Sequence, residues 1–367
     1  MGCPLQRECR FPSRRITDYR WTKGAVRALL LAGVLGGTLI AQTAATGASL
    51  ADAARQAFTR RDYRRAATLY AELASSTPSS SPGSGSDALL MESKCLVNLD
   101  EFSRAEGTLR TFLERQPRSS EALYLLGYVL QREGQPANSL KVFTQAAAIR
   151  PPLPDDLKLV ALDYVLLDDY NDAVHWLTRA LSAAPDNAEA WYDLGRAQMH
   201  QGHFDEAVAA FRHTLALQPG NVKAMDNLGV SLEAQNKPEE ALKQYAAGLK
   251  LTEQTGRGDE HLLLDFGMLL NNRGAFAEAS PLLLQAVRLA PADPRALEEL
   301  GRSYTGQGEN DAARGALEHA ATLDPKNARL HFQLGRTYRS LGLSALSQAE
   351  FQRSSALYAN GTGSPDH

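Results

Sequence analysis

Six residues in this chain have types suited to recognising another molecule: Tyr124, Tyr128 and Tyr192, with Arg196, Arg302 and Arg336. Rigid amphipathic rings bury area at a small entropic cost, and guanidinium groups take carboxylates or carbonyl oxygens in a fixed fork. The combination therefore suits an extended peptide. Candidates for bond-making chemistry are poorer. His200, His203 and Asp205 are metal-ligand types at close spacing, but zinc needs three or four convergent ligands and these three fall where a turn is expected. Arg257, Gly258 and Asp259 spell an adhesion tripeptide inside a polar insert and are read as chance; Asn360, Gly361 and Thr362 form a glycosylation sequon that matters only in a eukaryotic secretory route. The sequence contains no P-loop, nucleophile elbow or His-Glu-x-x-His segment. No enzyme activity, cofactor or metal is expected.

These residues are set out by an interval of 34. Gly127, Ala161, Gly195 and Gly229 follow one another at that spacing, which resumes after four extra residues at Gly267, Gly301 and Gly335. Counting each unit from seven residues before the small one gives nine starts: Gly47, Ser86, Ser120, Pro154, Ala188, Val222, Glu260, Pro294 and Ala328. In the fifth unit Trp191, Leu194, Gly195, Ala207, Phe211 and Pro219 occupy positions 4, 7, 8, 20, 24 and 32.

Each position has a physical reason. Positions 4, 7, 8 and 11 form one stripe of a helix. A Gly at position 8 costs about 1 kcal/mol in helix propensity, so a partner helix must press there. The partner carries Ala207, Ala241, Ala279 and Ala313 at position 20, with Phe211, Tyr245, Leu283 and Leu317 at position 24 to fill the wider gap. Pro117, Pro151, Pro185, Pro219, Pro291 and Pro325 at position 32 stop the second helix, since Pro lacks the amide proton and clashes with the preceding turn.

This pattern resembles the tetratricopeptide repeat from residue 47 almost to the end of the chain. The resemblance implies an all-α protein, a right-handed α-solenoid of about nine tetratricopeptide helix pairs over 47–358, with stability summed over neighbours. Asp52, Ala53 and Ala54 leave the first unit thinly apolar, so fraying is expected there, and Glu92 and Ser93 weaken the second. The stretch Ser75 to Ser86 reads as a flexible joint, and in the sixth unit Glu253 replaces the Pro and is followed by the insert Thr255 to Gly258.

Positions 2, 5, 9 and 12 of each first helix form a stripe beside the packing stripe and are expected to line an inner groove. Position 2 carries Asp87, Glu121, Asp155 and Glu189 in the second to fifth units, then Lys223, His261, Arg295 and Arg329. The groove is thus expected to be acidic at one end and basic at the other, with Tyr124, Tyr128 and Tyr192 along its middle and Lys94, Arg196, Arg302 and Arg336 added by position 9. Asp193, Asn227 and Asp265 at position 6 do not suit the carboxylate clamp that takes chaperone tails. With no polar helix expected after Leu357, the uncovered face of the last unit is a surface for self-association.

Residues 1–27 hold seven Arg or Lys against Glu8 and Asp18, a net of +5, and an uncharged run follows from Ala28 to Leu50. Residues 28–47 read either as the apolar part of a cleaved signal peptide or as a transmembrane anchor, with the basic side retained in the cytoplasm. Cleavage after Ala45 or Ala48 and an intact span both place the repeats outside the cytoplasm, either periplasmic or secreted, or anchored in the inner membrane. The three cysteines form no disulfide framework. Beyond residue 27 the chain has 32 basic and 40 acidic residues, a balance that disfavours nucleic acid. Residues 359–367 are expected to be a disordered tail. The sequence implies a noncatalytic scaffold of a bacterial-type cell envelope that binds a partner peptide or protein in its groove; the alternative is a cytoplasmic adaptor or the regulatory subunit of a separately encoded enzyme.

Overall fold

A computed structural model of the protein describes residues 49–76 and 84–359. The apolar run at 28–47, the middle of the expected joint and the expected tail lie outside the described residues. Among those described there are eighteen helices and no strand. They are α1 (49–59), α2 (Tyr63–Ser76), α3 (Ser84–Asn98), α4 (Phe102–Arg115), α5 (Ser120–Arg132), α6 (Pro136–Ala147), α7 (Pro154–Leu166), α8 (Tyr170–Ala183), α9 (Ala188–His200), α10 (Phe204–Leu217), α11 (Val222–Ala234), α12 (Pro238–Thr255), α13 (Glu260–Asn272), α14 (Phe276–Leu289), α15 (Pro294–Gln307), α16 (Asn310–Leu323), α17 (Ala328–Ser340) and α18 (Ser344–Ala359). Odd and even helices are the first and second members of the nine expected pairs, and the fold is an all-α solenoid. No helix among the described residues is long and apolar enough to cross a membrane.

The pairs close where the sequence places small residues against large ones. A Cβ added to Gly195 would lie 2.7 Å from the Phe211 ring, one on Gly229 2.4 Å from Tyr245, and one on Gly267 2.5 Å from Leu283. Real Cβ atoms do not approach so closely, so position 8 is small because position 24 of the same unit rests on it. Position 20 is buried for the same reason. Ala207, Ala241, Ala279 and Ala313 are wholly buried. Ser139 and Ser347 take the same position in other units, and each hydroxyl donates to the carbonyl of the position-8 glycine, Gly127 or Gly335, at 2.8 Å.

Local signals set the helix ends. Ser119, Asn187, Asn221, Asp259 and Asn327 precede first helices, and each side chain accepts a hydrogen bond from a first-turn amide. Between the two helices of a pair, position 15 is left-handed in all nine units: Gly134, Gly202, Gly274, Gly308 and Gly342, and also Arg61, Asp100, Asp168 and Asn236. Gly adopts that conformation freely, and Asn and Asp tolerate it. With Glu253 in place of the usual Pro, α12 runs on to Thr255 and stops at Gly256, whose φ is 66°. Of the expected insert only Thr255 is helix, and Gly256 to Gly258 connect α12 to α13. Similarly, α2 continues to Ser76 and α3 begins at Ser84, so the expected joint shortens from both sides. The first pair is closed from residue 49, with Ala54 and Ala66 wholly buried.

The chain divides into two compact units, one ending at Ala183 and the other beginning at Ala184. In the first, one cluster around Leu96, Leu109, Phe112 and Leu130 joins α1 to α5. In the second, three clusters centred on Phe211 and Tyr245, on Leu283, and on Leu317 and Leu330 follow one another along the chain. Trp191 donates from its indole to Pro185 O at 2.8 Å, and the His331 ring meets Pro325 O at 3.0 Å. Position 4 thus ties each of these first helices to the proline that ended the helix before it.

Identical substitutions should have opposite effects at two helical glycines. Gly195→Ala forces the buried Phe211 ring aside and should lower stability by about 1–3 kcal/mol. Gly315→Ala, with nothing within 4 Å of the new Cβ, should raise it by roughly 0.5–1 kcal/mol. Thermal melts of the two variants decide it, and equal shifts would refute the packing register.

Candidate functional site

The packing stripe of each first helix is consumed inside its own pair, which leaves the stripe at positions 2, 5, 6, 9 and 12 to neighbouring first helices and to solvent. Cross-links between successive first helices mark this face. In the compact unit that ends at Ala183, Lys94 of α3 pairs with Glu121 of α5 at 2.7 Å. Gln131 of α5 donates to Asp163 of α7 at 3.0 Å and to Leu159 O at 2.6 Å.

The tyrosines expected to line the groove differ in what they offer. Tyr124 is buried, its hydroxyl donates to Arg150 O at 2.8 Å, and the Arg150 guanidinium sits 4.3 Å from its ring centroid. Burial and then the nearby Asp156 push its phenol up to about 12. Tyr124 packs its pair and presents no free face, because position 5 here is drawn under the loop that enters α7. Tyr128 is half-buried. It meets Phe102 edge to face at 6.3 Å and accepts from Arg132 at 2.8 Å, while Arg132 also covers Phe102 at 4.6 Å.

In the compact unit that begins at Ala184, Tyr192 is half-buried and its hydroxyl accepts from Asn227 of α11 at 3.0 Å, with the exposed Arg196 5.9 Å from its ring. Arg336 is exposed and its guanidinium has no partner among the described residues. Arg302 is different: it donates to Asn272 Oδ1 at 2.9 Å and pairs with Glu299 at 3.3 Å. Arg302 thus neutralises a carboxylate buried beneath it, whereas Arg336 does not. Arg329 and Arg295 are likewise engaged, with Glu298 at 2.8 Å and with Asp293 at 2.9 Å.

Those carboxylates were not anticipated as site residues. Asp226 and Glu298 stand at position 5, Asp265 and Glu299 at position 6, and Glu233 at position 12. Asp226, Glu298 and Glu299 are buried. The signal was the acid at position 5, which elsewhere carries Tyr, Phe or Leu in most units. Asn271 donates to Glu299 Oε2 at 3.0 Å and accepts from Ser303 at 2.7 Å, while Tyr245 donates to Glu233 at 2.6 Å. Asp226 stands apart: one of its oxygens is buried without a partner. Its carboxyl is pushed up to about 8, first by burial and then by the negative charges of Asp265, Asp259 and Glu233. Burial pushes Asp265 up to about 6 against the pull of Arg295 and His261. In the first unit Asp163, wholly buried, is pushed up to about 7 by burial despite hydrogen bonds that favour its charged form.

The other residues that drew notice in the sequence take structural places. His200 ends α9, His203 immediately precedes α10 without a side-chain capping bond, and Asp205 accepts from Gln235 at 2.8 Å. Asp259 of the adhesion-type tripeptide is the N-cap of α13, accepting from the Leu262 amide at 3.1 Å. Cys95 is buried, which pushes its thiol up to about 12. On α18, Leu346 and Tyr358 are exposed.

Sequence models described as tetratricopeptide repeat match residues 90–154, 164–228, 222–255, 264–328 and 299–361. The chain belongs to the tetratricopeptide repeat family. Over 144 residues it is 23% identical to an N-terminal acetyltransferase A complex subunit-like protein of Schizosaccharomyces pombe; the match takes in 39% of this chain and only 21% of that protein. A tetratricopeptide repeat protein from Parabacteroides merdae is similar in structure, with a TM-score of 0.54, 19% identity, and coverage of 70% of this chain and 99% of that one. PilW, described as a widely conserved type IV pilus biogenesis factor, superimposes with a TM-score of 0.50 at 23% identity, covering 58% of this chain and 95% of its own.

The buried acids impose a pH dependence. Asp226, Asp265 and Asp163 have folded-state values above the ordinary carboxyl value of about 3.9. Between the two the native state binds more protons than the unfolded state, so stability present below about pH 4 is lost as pH rises through about 6 to 8. Asp226→Asn should match the parent at pH 5, where Asp226 is a neutral acid of the same shape. At pH 8.5 it should melt higher. A pH series of melts in which the two proteins run in parallel would show that Asp226 is not buried in this way.

Proposed function

We propose that this protein is a protein-binding scaffold of the cell envelope, whose first-helix face receives a segment of a partner and whose N-terminal basic and apolar segment directs the repeats out of the cytoplasm. The observation that carries the binding reading is the chemistry left over on that face. Packing uses the apolar stripe of every pair. What remains is half-buried rings with cations beside them, Tyr128 with Phe102 and Arg132 in one unit and Tyr192 with Arg196 in the other. Such rings can bury area against a peptide without first giving up rotamer freedom. The envelope reading rests on the seven basic residues before position 28 and the uncharged run after them. The fold likeness to a pilus biogenesis factor is consistent with it.

Two measurements test the two halves. A phosphatase reporter joined after residue 60 should be active outside the cytoplasm; activity only inside would remove the export reading. For binding, Arg196→Glu with Arg336→Glu reverses two exposed cations and should leave the melting temperature within the shift of about 0.5 kcal/mol usual for surface charges. The proteins that co-purify with the full chain should be lost from this variant, and from the parent as salt rises. Undiminished co-purification would move the binding surface off this face. Arg302 is unsuited to the reversal, since a glutamate there would face the buried Glu299.

A further inference from the structure

Buried carboxylates recur on the first-helix face of the second unit, and one pair of helices shows how such a group is satisfied. Glu298 of α15 is 2% exposed. It receives Arg329 at 2.8 Å and Gln333 at 2.8 Å, both from α17, the first helix of the next pair. These donors stand at positions 2 and 6 of their unit, and Glu298 at position 5 of its own.

Asp226 is the same position two pairs earlier in the fold, on α11, and it is 6% exposed. The residues at positions 2 and 6 of the following unit are His261 and Asp265 in place of Arg and Gln. His261 is exposed and lies against Glu260, at 3.8 Å. Asp265 is a second acid, and it makes no hydrogen bond or ion pair among the described residues. The donors present at Glu298 are thus missing at Asp226, one of them replaced by a like charge. One Asp226 oxygen is buried with nothing bonded to it, and the ionisable groups that act on it are Asp265, Asp259 and Glu233. Arg295 and His261 favour the charged form of Asp265, whereas the charges acting on Asp226 are all negative; Arg295 is held by Asp293. Removing one partner of a buried ion pair leaves an arrangement that opposes folding by several kcal/mol in other proteins, so a counter-charge from outside has a large effect there.

We infer that Asp226 on α11 and Asp265 on α13 form the receptor for one cationic side chain, a lysine or arginine, of the peptide that binds this face. Glu298 with Arg329 and Gln333 is the filled version of the same arrangement, with the guanidinium supplied by the protein itself. Tyr192 stands beside the receptor, its hydroxyl held by Asn227, the residue after Asp226. Its ring can flank the methylene stem of the incoming residue, and Arg196 above it repels a second cation, so the receptor takes one. A metal ion is disfavoured by the ligand set, since no three His, Cys, Asp or Glu among the described residues converge to hold one.

The inference rests on the reading of this face as the peptide-binding surface, and one experiment separates the two. The full chain in detergent is panned against a phage-displayed library of random dodecapeptides. Peptides selected by the parent should share a lysine or arginine at a fixed position. Asp226→Asn and Asp265→Asn, checked by circular dichroism to be folded, should each bind a selected peptide on the order of thirtyfold or more weakly, as when one partner of a buried charge pair is removed. Asp311→Asn, at an exposed ion pair on α16, should leave binding unchanged. Replacing the shared arginine by citrulline should weaken binding to the parent and not to Asp226→Asn. Selected peptides that lack a fixed cation, or that bind Asp226→Asn as well as the parent, would overturn the receptor and leave the peptide-binding surface standing. A library from which nothing is enriched would overturn both.

Discussion

The seat of a large side chain on a residue with no room for a Cβ fixes the geometry from which the rest of this protein follows. At Gly229 the atom that any other residue would add falls 2.4 Å from the Tyr245 ring, and equivalent contacts join Gly127 to Phe143 and Gly335 to Phe351. Because both members of the contact lie in one unit, each pair sets its own interhelical distance without help from the others. The pairs then differ only in what they show to their neighbours. A fold assembled this way has no single centre: its core is a succession of local clusters, each joining two or three pairs.

Once that contact takes the apolar stripe, the adjoining stripe is free to be polar, and the structure uses it in two ways. Several of its polar groups bond across to the next first helix, as Gln131 does to Asp163 and Asn271 to Glu299. These links fix how one pair follows the next, since they reach from one unit to the following at matched positions. The same spacing makes the face vulnerable to mismatch. Where the following unit brings an acid to face an acid, as at Asp226 and Asp265, burial leaves a carboxylate without a donor. Stability and recognition pull in opposite directions there: a donor supplied by the protein would strengthen the fold and close the site.

The distribution of charge along position 2 is a poor guide to the charge of that face. Lys223, His261, Arg295 and Arg329 make it look basic in the sequence. Folding brings Asp293, Glu298 and Glu299 against the arginines, so much of the positive charge is neutralised within the protein. Of the arginines on this stripe, Arg196 and Arg336 remain available.

The sequence by itself determined the pairs. The interval of 34, the small residue at position 8 and the filler at position 24 specify which helix meets which, because contacts between residues so close in the chain depend on helix geometry alone. The helix ends were legible for the same local reason, with Asn187 and Asn221 as caps and Pro219 as a stop; where Glu253 removed the stop, α12 continued for about one more turn. Only the tertiary structure decided what each polar residue of the outer stripe does. Tyr124 and Tyr192 share a position, yet one is closed beneath Arg150 and the other stays half-open beside Arg196. Whether Asp226 finds a donor depends on residues about 35–39 positions away, in another unit. Such a contact is set by how successive pairs stack, and periodicity in the chain carries no account of which neighbour a given side chain will meet.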